Sequence, residues 1–109
     1  MATTYKVLGQ SNPSATTATT LYTVPAATQA VVSTIVVANL TTAAATFRIA
    51  VRVAGATLAS SQYVAYDITV GVSDSTTLTL GLTLGAGDIL TVYASTSSIT
   101  FSAFGSEMS

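Results

Sequence analysis

Phe47-Arg48-Ile49-Ala50-Val51-Arg52-Val53 is the stretch whose reading decides the fold. Phe47, Ile49, Val51 and Val53 point one way and Arg48, Ala50 and Arg52 the other, because successive side chains on a strand take opposite faces. The same period of two returns along the chain. Leu78, Leu80, Leu82 and Leu84 alternate with Thr77, Thr79, Gly81 and Thr83. Leu90, Val92 and Ala94 alternate with Ile89, Thr91 and Tyr93, and Ile99, Phe101 and Ala103 with Thr100, Ser102 and Phe104. No long stretch shows an apolar period of 3.6. Branched and aromatic residues suit the pleated surface of a strand.

Val31-Val32-Ser33-Thr34-Ile35-Val36-Val37 is apolar on both faces for much of its length. It reads as a central strand covered on both sides, or as one whose outer face meets another subunit. Turn residues separate the runs at Asn12-Pro13-Ser14, 39–44, Ala54-Gly55-Ala56, 71–75 and Gly85-Ala86-Gly87-Asp88. The last reads as a hairpin between two alternating strands. Eight strands are expected, at about 4–10, 17–24, 30–38, 46–54, 58–69, 75–84, 88–95 and 98–105. The fold class is all-β, a single antiparallel two-sheet sandwich over 1–109 with jelly-roll or immunoglobulin-like connections. Closure into a small barrel is the alternative. Residues 1–14 are expected to form an extended N-terminal strand or arm.

Composition narrows the chemistry. Of 109 residues, 50% are hydrophobic and 6% charged, against roughly 25% charged in an ordinary domain. There is no His and no Cys, hence no Ser-His-Asp triad, thiol nucleophile, disulfide or zinc site of the N/S kind. No cofactor or metal is expected. Three basic residues do not make a phosphate-tracking stripe, so nucleic acid is not an expected partner. Ala30–Ala38 falls far short of the roughly 20 apolar residues of a membrane helix. Met1-Ala2-Thr3-Thr4-Tyr5-Lys6 lacks the layout of a signal peptide.

The few charges read as structural. Asp74 and Asp88 sit in expected turns, where the side chain bonds nearby backbone. Asp67 is expected to pair with Arg48 or Arg52 across strands. Gly81, Gly85 and Gly87 begin no helix, so no phosphate-cradling loop is implied. Asn39-Leu40-Thr41 matches a glycosylation sequon, expected to be chance. Tyr63 and Tyr93, with Tyr5, Tyr22 and Tyr66, read first as packing at sheet edges and interfaces, and second as a sugar-binding platform. Phe104 falls on the face opposite Phe101 by strand parity, which places an apolar ring near another chain. Thr77 and Thr79 form only a short ladder, too little to favour ice binding.

Seven charges for a whole surface leave Thr, Ser and Ala on outward faces, and such a monomer tends to self-associate. A homo-oligomer is expected, a trimer first, with Tyr5, Val7, Arg48, Arg52, Tyr63, Asp67, Tyr93 and Phe104 as interface candidates.

The segment Tyr5-Lys6-Val7-Leu8-Gly9-Gln10 resembles the opening of small virion proteins of tailed bacteriophages, including phages of cyanobacteria. The resemblance continues through Leu21-Tyr22-Thr23-Val24-Pro25-Ala26 and 31–39. It resumes at Phe47-Arg48-Ile49-Ala50-Val51-Arg52, 77–84, 88–96 and Phe101-Ser102-Ala103-Phe104-Gly105-Ser106-Glu107. The chain departs from that pattern at Leu40, where relatives often carry a polar or basic residue. The resemblance implies a non-enzymatic structural subunit of the virion, assembled in the host bacterial cytoplasm with other virion proteins as partners. A tail fibre or baseplate setting is the first expectation, a capsid decoration protein the second. A carbohydrate-binding receptor tip for a host surface glycan is the alternative of another class.

Overall fold

The computed structural model describes residues 3–109. Nine strands run in chain order: β1 (Thr3–Ser11), β2 (Thr19–Thr23), β3 (Gln29–Asn39), β4 (Ala45–Arg52), β5 (Tyr63–Val70), β6 (Ser75–Leu78), β7 (Leu82–Leu84), β8 (Ile89–Ala94) and β9 (Ile99–Met108). Two single 3-10 turns, Val53–Gly55 and Ser60–Gln62, lie between β4 and β5.

The strands form two antiparallel sheets packed as a sandwich. Sheet I has the order β1-β9-β3-β6, with β7 also on β3, and sheet II the order β2-β8-β4-β5. β6 and β7 pair with opposite ends of one edge of β3, so they act as one interrupted edge strand. Counted so, the pairs nest. β4 pairs β5, β3 pairs β6/β7, β2 pairs β8 and β1 pairs β9. These pairs alternate between the sheets, which is a long antiparallel ribbon rolled over on itself. The fold is therefore the jelly roll of the two expected connections, and the sheets do not close into a barrel.

Alternation builds the core. Ala30, Val32, Ile35, Val37, Phe101 and Ala103 of sheet I face Phe47, Ile49, Leu90 and Val92 of sheet II, all buried. Phe47 and Phe101 meet edge to face across the two sheets, with centroids 6.0 Å apart, an arrangement favoured by the ring quadrupoles. β3 is central in sheet I but covered by sheet II on one face alone. A register shift between Val32 and Thr34 makes Ser33 an extra residue, so Val32 and Ile35 both face the core.

Asn39 is the most buried polar side chain among the described residues, 3% exposed. Its Nδ2 donates to the Ala43, Val70 and Gly71 carbonyls and its Oδ1 accepts from the Thr41 amide. The side chain ties two loops together and is consumed by that task, so the sequon there is structural. Leu40 beside it is 66% exposed.

Three expectations need correction. The 85–88 turn is not a hairpin: β7 belongs to sheet I and β8 to sheet II, because a tight turn fixes reversal and not the partner. The 75–84 strand breaks over 79–81, where Gly81 takes φ +62. This also interrupts the Thr77/Thr79 ladder and leaves Leu80 exposed. The 58–69 strand begins only at Tyr63, and Val53 leaves the apolar face, because residues 53–62 fold into turns. Of the strand or arm expected over 1–14, the described residues form a strand, β1. It pairs β9 from Thr3↔Met108 to Ser11↔Phe101; Met1 and Ala2 of the expected 1–14 segment lie outside the described residues.

Candidate functional site

The outer face of sheet II gathers most of the polar candidates. Arg48 on β4 is flanked by Tyr93 of β8, its register partner, and by β5. On β5 the register jumps from Phe47↔Ile68 to Ile49↔Ala65, so two residues, Tyr66 and Asp67, stand opposite Arg48. Asp67 takes the left-handed conformation at this bulge, φ +51, which Asp tolerates better than most residues. Ordinary alternation would send Tyr66 and Asp67 to opposite faces; the bulge delivers both to Arg48.

The resulting contacts are specific. Arg48 Nε donates to Asp67 Oδ1 at 2.6 Å and Nη2 to Oδ2 at 3.3 Å. The guanidinium carbon lies 4.2 Å from the Tyr66 ring centroid and 4.4 Å from that of Tyr93, within cation-π range. Tyr63 meets Tyr66 edge to face at 5.0 Å. The hydrogen bond to Asp67 raises the Arg48 pKa further above its ordinary value, so the cation is permanent. Tyr66 remains 55% exposed, and the Asp67 carboxylate is about half open to solvent.

Arg52 does not join this cluster. Its Nε donates to the Ala56 carbonyl at 2.7 Å and its Nη2 to that of Gly55 at 3.2 Å. It braces the 53–62 loop. Asp88 helps, accepting from the Ala54 amide at 2.8 Å and the Gly85 amide at 2.9 Å. Thr91, partner of Ala50 on the same face by parity, is buried, and its hydroxyl has no hydrogen-bond partner.

The outer face of sheet I holds the apolar candidates. Val7 and Thr34 flank Phe104 in register, and Ser106 sits between Tyr5 and Val31. Tyr5, Val7, Val31 and Phe104 line one shallow depression. Tyr5 is 83% exposed and Val7 49%. Phe104 is on the face opposite Phe101, as parity required, and is half-buried. Bulges in β1 at Leu8 and in β3 at Ser33 lie beside it, and Ser33 Oγ donates to the Phe104 carbonyl at 3.1 Å.

A third cluster closes one margin of the sandwich. Lys6 Nζ lies 2.7 Å from Glu107 Oε1, and the Tyr22 hydroxyl donates to Glu107 Oε2. β1, β9 and β2, from both sheets, meet at this carboxylate. The Lys6 and Tyr22 hydrogen bonds hold Glu107 below the usual carboxylate range. Burial, then the bond to Glu107, pushes the Tyr22 phenol above its ordinary value.

All seven charged side chains are thus engaged within the chain. Lys6 pairs Glu107 and Arg48 pairs Asp67. Arg52, Asp88 and Asp74 bond backbone, the last accepting from the Ser75 amide. Among the described residues no group of three or more acidic, His or Cys side chains could hold a metal ion.

Sequence reasoning gave Arg48, Asp67, Tyr63 and Tyr93 as candidates, and the fold brings these four together. It read Tyr66 only among the tyrosines at large and not as the neighbour of Arg48 at their centre, since only the adjacency Tyr66-Asp67 opposite an arginine hints at a bulge. It missed the Lys6–Glu107–Tyr22 cluster, because nothing local links positions 85 residues apart. Neither the protein-family models nor the curated proteins compared with the chain give a match.

Proposed function

We propose that this chain is a non-enzymatic structural subunit of a tailed-phage virion, assembling as a homotrimer through weakly charged outer sheet faces. One observation carries the assembly reading. Every charge is spent inside the chain, while Tyr5 and Val7 stand exposed beside Phe104 on the outer face of sheet I. An apolar patch at a sheet edge favours contact with another chain, and the one charged side chain lining it, Lys6, is already paired with Glu107. β1 lies at that edge, with a free strand margin for strand addition by a neighbour. The phage setting rests on the resemblance of 5–10 and the later segments, and jelly rolls commonly serve in capsids.

A tail fibre or baseplate position is preferred, since Thr/Ser/Ala-rich, low-charge β chains suit fibrous trimers. Capsid decoration is the second placement. The partners are further copies of the chain and other virion proteins, and assembly takes place in the host bacterial cytoplasm. The purified chain is expected to sediment as a trimer, and Val7→Lys to shift it to monomer. A wild-type chain that stays monomeric at high concentration would overturn this reading. A virion reconstruction then distinguishes tail from capsid.

A further inference from the structure

Beyond assembly, we infer that the outer face of sheet II is a binding site for a neutral pyranose glycan, seated on Tyr66 between Tyr63 and Tyr93 with Asp67 as its polar anchor. This does not depend on the assembly reading, whose carrying observation lies on the opposite sheet.

The chemistry of the face selects the ligand. A pyranose has one face of C–H groups and a rim of hydroxyls. An exposed phenol ring suits the first, giving apolar contact with a polar handle at its edge. A carboxylate suits the second, because it is acceptor-only and carries about four lone-pair sites. Asp67 uses one bond from each oxygen to Arg48, so further acceptor sites remain on a group about half open to solvent. The tyrosine hydroxyls can both donate and accept.

The charge of the face points the same way. Arg48 and Asp67 cancel, so the site has no net attraction for an anion or a cation. A dry protein interface is a poor occupant, because closing it would strip water from the ion pair without replacing its hydrogen bonds. A hydroxylated neutral ligand replaces those hydrogen bonds as it displaces the water.

The site is also organised in advance. One guanidinium touches three of its members, holding Asp67 by two hydrogen bonds and lying over the rings of Tyr66 and Tyr93. Tyr63 fixes Tyr66 from another side. Side chains that are already fixed lose little entropy on binding, and this is where rigid aromatic platforms gain affinity. Tyr66 remains mostly exposed beyond its contacts with Arg48 and Tyr63, so ring surface is left for a ligand.

An array of neutral hexopyranosyl and N-acetylhexosaminyl oligosaccharides, with sialylated and uronic-acid glycans beside them, tests the inference. Wild-type protein is expected to bind neutral members, and Tyr66→Ala to weaken that binding about tenfold or more. Tyr66→Phe, which keeps the ring, should retain most of it, and Leu40→Ser, at an exposed position in the loop after β3, should change nothing. Should Tyr66→Ala unfold, the strongest array oligosaccharide is titrated into 15N-labelled wild-type protein. Shifts confined to Tyr63, Tyr66, Asp67 and Tyr93 support the site. No binding to any neutral member, binding of acidic glycans alone, equal binding by folded Tyr66→Ala, or shifts confined to sheet I would each overturn it.

Discussion

Asp67 reaches Arg48 only because it is out of step with its own strand. Its φ of +51 marks the bulge that sets it beside Tyr66 and within 2.6 Å of the Arg48 Nε. The ion pair and the backbone conformation are therefore separable. Asp67→Ala loses the pair and keeps the left-handed strain, while Asp67→Gly loses the pair and relieves it. Glycine should be the more stable of the two by about 1 kcal/mol, read as the difference between their urea unfolding curves. Arg48→Lys should lower the urea midpoint with an unchanged slope, since lysine keeps the charge but not the planar fork or the ring stacking.

Glycine matters for a different reason at 105. A Cβ there would collide with the Val31 carbonyl, because the Ser33 bulge draws β3 across that position. Gly105→Ala should cost about 1–3 kcal/mol or more. Gly81 has φ +62 but open space around it. Its replacement by Ala should cost only the backbone penalty, about 1–2 kcal/mol. Parallel thermal melts measure both. A Gly105→Ala chain as stable as wild type would contradict the close approach.

Thr91 carries a hydroxyl that is buried without a hydrogen-bond partner. Valine has nearly the same shape and no polar atom to satisfy. Thr91→Val should therefore stabilise the fold by about 1 kcal/mol, seen as a higher urea midpoint. Thr91→Ser, which keeps the hydroxyl and removes a methyl group, should not.

The Glu107 cluster makes stability depend on pH at both extremes. Its carboxylate is held below the ordinary 4.5, so the unfolded chain takes up that proton first as pH falls. The stability it contributes is complete above that value and lost as pH drops through the lower folded-state value. Tyr22 is the mirror case. Its phenol is raised above the ordinary 10.0, so its contribution is complete below that value and lost as pH climbs past it. Glu107→Gln should flatten the acid limb of a plot of urea midpoint against pH, and Tyr22→Phe the alkaline limb. An acid limb unchanged in Glu107→Gln would show that other carboxylates set it.

Most of the strand layout was legible, because period-two runs such as Ile99 to Phe104 state their buried face directly. The rest turned on register. Alternation placed Phe104 and Phe101 correctly, yet it could not show that Ser33, Leu8 and Asp67 would break step, since a bulge is chosen by the neighbouring strand. For the same reason Arg48 and Asp67 were readable as a pair, while the inclusion of Tyr66 was not. The Gly85 to Asp88 turn was legible as a turn. Its crossing between sheets was not, because the nested ribbon is decided by long-range pairing.

The assembly reading stands or falls on solution mass. Sedimentation equilibrium on wild-type protein and Val7→Lys, over a wide concentration range, is the direct measurement. We expect wild type at three times the 11.0 kDa chain mass and the variant shifted to single chains with its fold intact. Wild type remaining a single chain throughout, or Val7→Lys assembling as well as wild type, would refute assembly through the outer face of sheet I.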